Sequence, residues 1–522
     1  MGTLRHIFGV SFCTLLSRIT GLLRDILLYA TFGTSELNNA FLYGFMLPNM
    51  FRALLGEGAL NSALIPIFSD VYHREGRDAA YNLLNQVLSR LARLLIGIIC
   101  LGVILLSMGY CYSATPHFWK LCTLFSAILL PYMFFVCLAA VLTAVLNVLD
   151  KFLFAACNSI WLNLSMIVSL LIGYHFSCEI AIYILCFGVL LGGVIQLLSL
   201  WYALKQHNWK FHWDTGFNEN IRLFKKLFLP GILGAAIFQI NTAVSRVLAG
   251  IVNRTANSVL YLSNRLIELP LGLFVIASTT VIFPKLSQFE AQGDQENLRN
   301  EFRHGTDFIL MIIVPAVVGL FCLGRTILQL FFQWRAFTTS DVALVLPVLQ
   351  VYIFSLPFYA LVTFFVRAYH CKKDTRRPMI YSAVNFLVNI ALTLLLMFRF
   401  ETLGVAIANL LSTMIQSGLL FFNLKRCYPI FNIPIFSPSV LRYCFASVAM
   451  GCVVSLLDLL FHRFCFCKTQ DLLSVAVNVP LGILIYFGLV YYFLPEKDRD
   501  NLRTIGKQIL KKFFPVGNRK NK

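Results

Sequence analysis

Three arginines, Arg18, Arg24 and Arg52, stand in the first two of fourteen long apolar segments, and Arg246, Arg265 and Arg367 recur in later ones. A guanidinium is a planar fork of N–H donors that stays ionised and meets phosphate oxygens in pairs. At membrane depth it costs at least about 2.5–3.5 kcal/mol on insertion scales, so such a residue faces a polar interior and marks a substrate path. Carboxylates are scarce in the same segments. Asp25 lies two helical turns from Arg18 and shares its face, while Arg24 sits about 120° around the helix from Arg18. Glu57, flanked by Gly56 and Gly58, follows Arg52, and Arg265 precedes Glu268 as an i,i+3 pair before Pro270. This cationic excess suits a pyrophosphate, with Asp25, Glu57 and Glu268 limiting repulsion in the empty site. For any one residue the competing reading is a structural ion pair or snorkelling, which fits Arg90 and Arg93 near a span end.

The elements that position these groups follow from composition. The 522 residues are 58% hydrophobic and only 13% charged, against about 25% charged in soluble domains. An all-α polytopic membrane protein is expected, and a soluble enzyme is excluded. The net charge of +19 gathers in short loops and the C-terminal tail, where it holds topology against anionic lipid and does not point to nucleic acid. The 15 cysteines lie mostly singly in apolar runs. Cys465 and Cys467 are the one close pair, and a C-x-C spacing is poor for a disulfide or a metal. Arg18, Arg24 and Asp25 interrupt the first apolar stretch, so it does not read as a cleaved signal peptide. No phosphate loop, zinc-protease helix or nucleophile elbow is present, so no enzyme is expected.

About 20 apolar residues cross the hydrocarbon core. Spans are expected near 6–32, 37–69, 79–109, 119–147, 153–174, 179–204, 226–251, 256–287, 302–324, 341–370, 378–398, 403–425, 440–462 and 472–494. With the N-terminus inside, about 28 Lys and Arg fall on the cytoplasmic side and about 7 outside, as the positive-inside rule requires; both termini are then cytoplasmic. The halves resemble each other at an offset near 220 residues. Ser17-Arg18 corresponds to Ser245-Arg246, Pro48 to Pro270, and Pro66-Ile67-Phe68-Ser69 to Pro284-Lys285-Leu286-Ser287. Six-span repeats of equal orientation place a substrate site between them, with alternating access by rocking. The expected divisions are an N-lobe over 1–215, a C-lobe over 216–430, two further helices over 431–495 and a basic tail over 496–522.

In order along the chain, Ser17-Arg18-x5-Arg24-Asp25, Leu47-Pro48-Asn49-x2-Arg52, Glu57-Gly58-Ala59-x6-Pro66, Gln239-Ile240-Asn241, Asn264-Arg265-Leu266-x3-Pro270, Pro284-x-Leu286-Ser287 and Arg367-Ala368-x5-Asp374-Thr375-Arg376-x-Pro378 resemble the signature of the MurJ (MviN) family, bacterial lipid II flippases. The resemblance implies a MATE-like two-lobe (6+6) fold of the MOP exporter superfamily plus two C-terminal helices that form a groove for the lipid tail. It implies a bacterial inner-membrane protein that moves undecaprenyl-pyrophosphate-disaccharide-pentapeptide outward for peptidoglycan synthesis, among membrane lipids and possible cell-wall synthesis partners. The family's cavity arginines carry over to Arg18, Arg24, Arg52 and Arg265. Asn39 replaces the acidic residue that the family usually places before Ala-Phe, which removes any gating ion pair there. Where some members bind sodium through carboxylates, this chain has Ser245 and Asn389, so no tight sodium site and no cofactor are expected, and the membrane potential is the expected drive. The rival readings are a flippase for another polyprenyl-pyrophosphate glycan, a multidrug antiporter of the same fold, and a non-transporting scaffold for cell-wall synthases.

Overall fold

In lipid an apolar run hides its backbone polar groups only as a helix or within a closed barrel, and this chain takes the first course. The computed structural model describes residues 2–54, 60–434, 437–464 and 469–493, and among these it is built of α-helices with no strand. The helices are α1 (Gly2–Phe32), α2 (Glu36–Arg52), α3 (Leu60–Arg74), α4 (Arg77–Cys111), α5 (His117–Leu129), α6 (Tyr132–Val148), α7 (Phe152–Gly173), α8 (Cys178–Lys205), α9 (Glu219–Val252), α10 (Ala256–Pro270), α11 (Ile276–Gln292), α12 (Gln295–Phe332), α13 (Thr339–Cys371), α14 (Arg376–Cys427), α15 (Pro438–Phe464) and α16 (Thr469–Phe493). Among the described residues, nine spans are long and apolar enough to cross a membrane, one of them running from α10 into the turn after it. The α5–α6 pair, bent by 43°, makes a tenth. The chain is a polytopic all-α membrane protein. Glu57, the pair Cys465 and Cys467, and the basic tail 496–522 lie outside the described residues.

Each of the fourteen apolar segments falls on helix where it is described. The second divides into α2 and α3, the fourth into α5 and α6 at the turn of residues 130–131, and the eighth into α10, a π-turn at Leu271–Val275 just past Pro270, and α11. The α14 helix is two spans. Its chain reverses at Glu401 (φ 46°, ψ −127°). Asn389 Nδ2 therefore donates to Ser412 Oγ at 3.3 Å, although a straight helix would hold these residues about 35 Å apart. Gly404 makes the reversal possible, because a Cβ there would lie 2.5 Å from the Leu396 carbonyl oxygen.

By internal contacts the described chain groups into two compact units. The first takes the residues up to Leu266 with Phe331–Tyr352 and Arg376–Gln416. Its core is aromatic and aliphatic. Phe41 stacks on Phe45 with centroids 5.8 Å apart, and Phe45 meets the buried Tyr132 at 6.0 Å. Two side-chain contacts in this unit join positions that are offset by the same number of residues. Cys13 on α1 meets Cys157 on α7, Sγ to Sγ 2.7 Å. Asn241 on α9 and Asn385 on α14, each 228 residues further along, meet at 3.4 Å.

The second unit takes Ile267–Leu330, Ile353–Thr375 and the described residues from Ser417 on. Here α15 and α16 are fastened to α12 by polar side chains. Asp458 accepts from Thr326 Oγ1 at 3.0 and 3.1 Å and from Ser474 Oγ at 2.5 Å. His462 Nε2 stands 3.7 Å from Asp458 and 3.9 Å from Asp471. Such pairing is what lets carboxylates persist among apolar helices. Arg367 lies over the Phe283 ring, 5.5 Å from its centroid.

Candidate functional site

Between Ser17 and Asp25, α1 turns polar groups inward at a helical period, and α7 and α10 supply their partners. Asp25 is fully buried and forms the centre. Its Oδ1 accepts from Arg24 Nε at 3.0 Å, Arg24 Nη2 at 2.6 Å and the Tyr261 hydroxyl at 3.3 Å. Its Oδ2 accepts from Arg265 Nε at 2.9 Å, a contact that joins residues 240 apart in the chain. Arg24 is 8% exposed. Its remaining donors reach Asn163 Oδ1 and the Tyr261 oxygen, both at 3.1 Å. Asn163 in turn donates to the Ser17 carbonyl at 3.1 Å and to Thr20 Oγ1 at 3.2 Å. The network is closely satisfied, as burial demands: an unpaired charge here would cost several kcal/mol.

Gly21 leaves room for this geometry. A Cβ at position 21 would stand 2.8 Å from Arg265 Nη2, so any other residue requires the tip of that side chain to shift. Tyr261 carries charge on both sides, with its hydroxyl on Arg24 and Asp25 and the Arg246 guanidinium 5.9 Å from its ring centroid. Arg246 also contributes its backbone carbonyl, which accepts from the Tyr43 hydroxyl at 2.6 Å.

Arg24, Asp25 and Arg265 therefore come together. Arg18 lies about 9 Å along the α1 axis from Arg24, half-buried, with no hydrogen bond or ion pair to a described residue. Sequence spacing puts Asp25 and Arg18 on one face of α1; the carboxylate engages Arg24 and Arg265. Arg52 closes α2 beside Asn49, Nε to Oδ1 3.4 Å. The Tyr132 phenol donates to Gln196 Oε1 at 3.2 Å. Glu268 lies on the exposed side of its helix. Asn39 is a two-way clasp: its amide donates to the Thr34 and Ser35 carbonyls and to Ser258 Oγ at 3.0, 2.8 and 3.0 Å. Its oxygen accepts from the Ser258 N–H at 2.7 Å. A carboxylate can accept but cannot donate, so an amide is what this environment requires.

Asn163, Tyr261 and Gly21 escape sequence reasoning. The available signals were the second of two amides in the apolar α7 run, after Asn158, a Tyr one helical turn before Arg265, and a glycine three residues before Arg24. Ser245 and Asn389 are bonded to each other. Asn389 Oδ1 accepts from Ser245 Oγ at 3.0 Å and from Thr393 Oγ1 at 3.1 Å.

Comparison with known proteins bears on what such a site handles. The family model described as lipid II flippase MurJ matches residues 28–472. A protein of Bdellovibrio bacteriovorus named probable lipid II flippase MurJ is 29% identical over 500 residues, covering 94% of each chain. One of the same name from Vibrio cholerae is 27% identical over 507 residues, 92% of this chain and 94% of that one. Among solved structures, a lipid II flippase MurJ in an inward closed conformation superposes with a TM-score of 0.78 at 26% identity, over 93% of this chain and 98% of that one. An inward-facing multidrug resistance MATE family transporter of the MOP superfamily gives 0.65 at 14% identity, over 79% and 95%. At that identity the likeness shows the fold alone.

Proposed function

Because the chain belongs to the lipid II flippase MurJ family, we propose that it moves lipid II, the undecaprenyl-pyrophosphate-linked disaccharide-pentapeptide, from the inner to the outer leaflet of the bacterial plasma membrane. One observation carries this reading: two arginines from distant parts of the chain share one buried carboxylate, Asp25. Asp25 stands in for the substrate's anion in the empty state. A diphosphate arriving beside it offers oxygen pairs that match the guanidinium forks, and Arg18 and Arg52 add charge that Asp25 does not offset. Sugars and peptide occupy the polar interior while the prenyl chain stays in lipid along α15 and α16.

No bond of the substrate is made or broken in this account, so the protein acts as a transporter by alternating access. An anion moving outward gains about 2.3 kcal/mol per charge per 100 mV, and the same field favours return of the empty cationic site. The hydroxyls of Ser245 and Thr393 already engage the Asn389 oxygen, which supports a drive from the membrane potential without a tight sodium site. Both termini lie in the cytoplasm, and cell-wall synthases beyond the outer face are the partners that use the delivered precursor.

The test is complementation of a bacterium whose own lipid II flippase is repressed, with lipid II at the outer surface labelled by an added probe. The expected result is restored growth and surface lipid II, both lost with Arg24→Ala or Arg265→Ala at equal protein level. Well-expressed protein that leaves lipid II on the inner leaflet refutes the proposal.

A further inference from the structure

The segment between α8 and α9 crosses the start of α4 as an extended strap. Four neighbouring residues of α4 hold it. Asn85 donates to the Lys210 carbonyl at 3.0 Å and accepts from Trp209 Nε1 at 3.0 Å. Gln86 donates to Asp214 Oδ2 at 2.9 Å, and Ser89 Oγ accepts from the Asp214 N–H at 3.1 Å. Arg90 reaches the Thr215 and Gly216 carbonyls at 3.0 and 2.5 Å. Trp209 is buried against Trp201, their centroids 4.8 Å apart. A strap fastened this closely is built to present what it leaves outside, and that is aromatic and cationic. Trp213 and Phe217 are 53% and 65% exposed. Arg93 lies 5.8 Å from the Trp213 centroid and Lys225 5.2 Å from that of Phe217.

The depth of the strap follows from α4. Residues 94–111 carry no charge and span about 27 Å at 1.5 Å per residue, nearly the ~30 Å of a hydrocarbon core. Arg93 therefore marks the level where hydrocarbon ends. It also marks a direction. Arg93, Gly97, Leu101, Ile104 and Met108 are exposed at helical spacing and form one face, which is apolar beyond Arg93 and so faces lipid. Trp213 lies at the headgroup end of that face.

We infer that the strap, with Arg93, Lys210, Lys225 and Lys226, is a binding site for anionic phospholipid headgroups at the membrane surface. Aromatic rings favour this layer because one side is apolar and the other wet. The four cations are exposed and enter no ion pair among the described residues. The nearby acids do not oppose an anion equally. Asp214 turns its two oxygens to the Gln86 amide of α4 and to the Gly216 N–H of the strap. Glu219 is exposed and lies 3.9 Å from Arg222. The site is separate from the Asp25 cluster and does not depend on what the protein transports.

The test uses the full chain in nanodiscs of phosphatidylcholine with or without phosphatidylglycerol. Trp213 fluorescence, taken as wild type minus Trp213→Phe, should be quenched by lipids brominated high on the acyl chain and largely protected from iodide. Retention of phosphatidylglycerol in native mass spectrometry should fall about fivefold for each of Arg93→Gln, Lys210→Gln and Lys225→Gln, the equivalent of about 1 kcal/mol per cation. Iodide quenching without bromolipid quenching would place the strap in water and overturn the inference. Unchanged lipid retention in the triple variant would overturn it equally, and the quenching result stands on native protein whether or not that variant folds.

Discussion

Asp25→Asn keeps the volume of the side chain and removes its charge, leaving Arg24 and Arg265 without their shared counterion. The Arg24 pair is almost fully desolvated, with side-chain exposures of 9% and 0%, whereas the Arg265 side chain is 30% exposed. Breaking a buried pair costs about 3–5 kcal/mol, while a partly solvated one adds about 0–1 kcal/mol. Arg24 is also the sequence neighbour of Asp25, so some attraction survives in the unfolded chain and moves the expected loss to the lower end. A loss of about 3 kcal/mol corresponds to roughly 6 °C for a large domain, at about 2 °C per kcal/mol. Scanning fluorimetry of purified protein measures it. A second arm tests the substrate reading: undecaprenyl pyrophosphate supplies the missing anion, so it should raise the midpoint of the variant more than that of wild type. Ligand at 100 times its Kd contributes about 2.7 kcal/mol. A variant within about 1 °C of wild type would refute the assignment of Asp25 as the counterion, and equal ligand shifts would refute its role as stand-in for the diphosphate.

Asn39→Asp should destabilise the protein by about 1–3 kcal/mol, because a carboxylate oxygen would replace the donor facing the Thr34 and Ser35 carbonyls; a neutral result in thermal unfolding counts against the clasp. Asp458→Ala leaves the hydroxyls of Thr326 and Ser474 without their acceptor, so amide exchange in α16 should rise at least tenfold, and unchanged protection would show that α16 is held by apolar packing alone. Asp214 is held below the ordinary carboxylate range by the Gly216 N–H and the Gln86 amide. Its contribution to the strap is therefore present above the ordinary value near 3.9 and lost as pH falls through the lower folded value. Trp213 fluorescence should stay flat from pH 7 to about 4.5 and change only below about 4, whereas a transition well above pH 4.5 would show that Asp214 does not carry the linkage. Cys13 and Cys157 should join under copper-phenanthroline oxidation and separate again with a thiol reductant; no cross-linked peptide by mass spectrometry would contradict the α1–α7 register.

Apolar length, the reversal between residues 398 and 403, and the sign of the interior charge were all legible in the sequence, because each is a local property. A helix needs about 20 apolar residues to hide its backbone, and a guanidinium at that depth needs a partner wherever the chain leads. Which partner it finds is not local. Spacing on α1 says only that Asp25 shares a face with Arg18; that the carboxylate binds Arg24 and Arg265 follows from α10 coming against α1, where Gly21 leaves room for the incoming guanidinium. Asn39 reads in the sequence as a missing acid; the structure shows an amide whose donors are all engaged. Asn163 and Tyr261 carry no sequence signal stronger than a polar side chain in an apolar run. Their roles arise only when folding brings residues more than a hundred positions apart within about 3 Å, where low dielectric makes each hydrogen bond count.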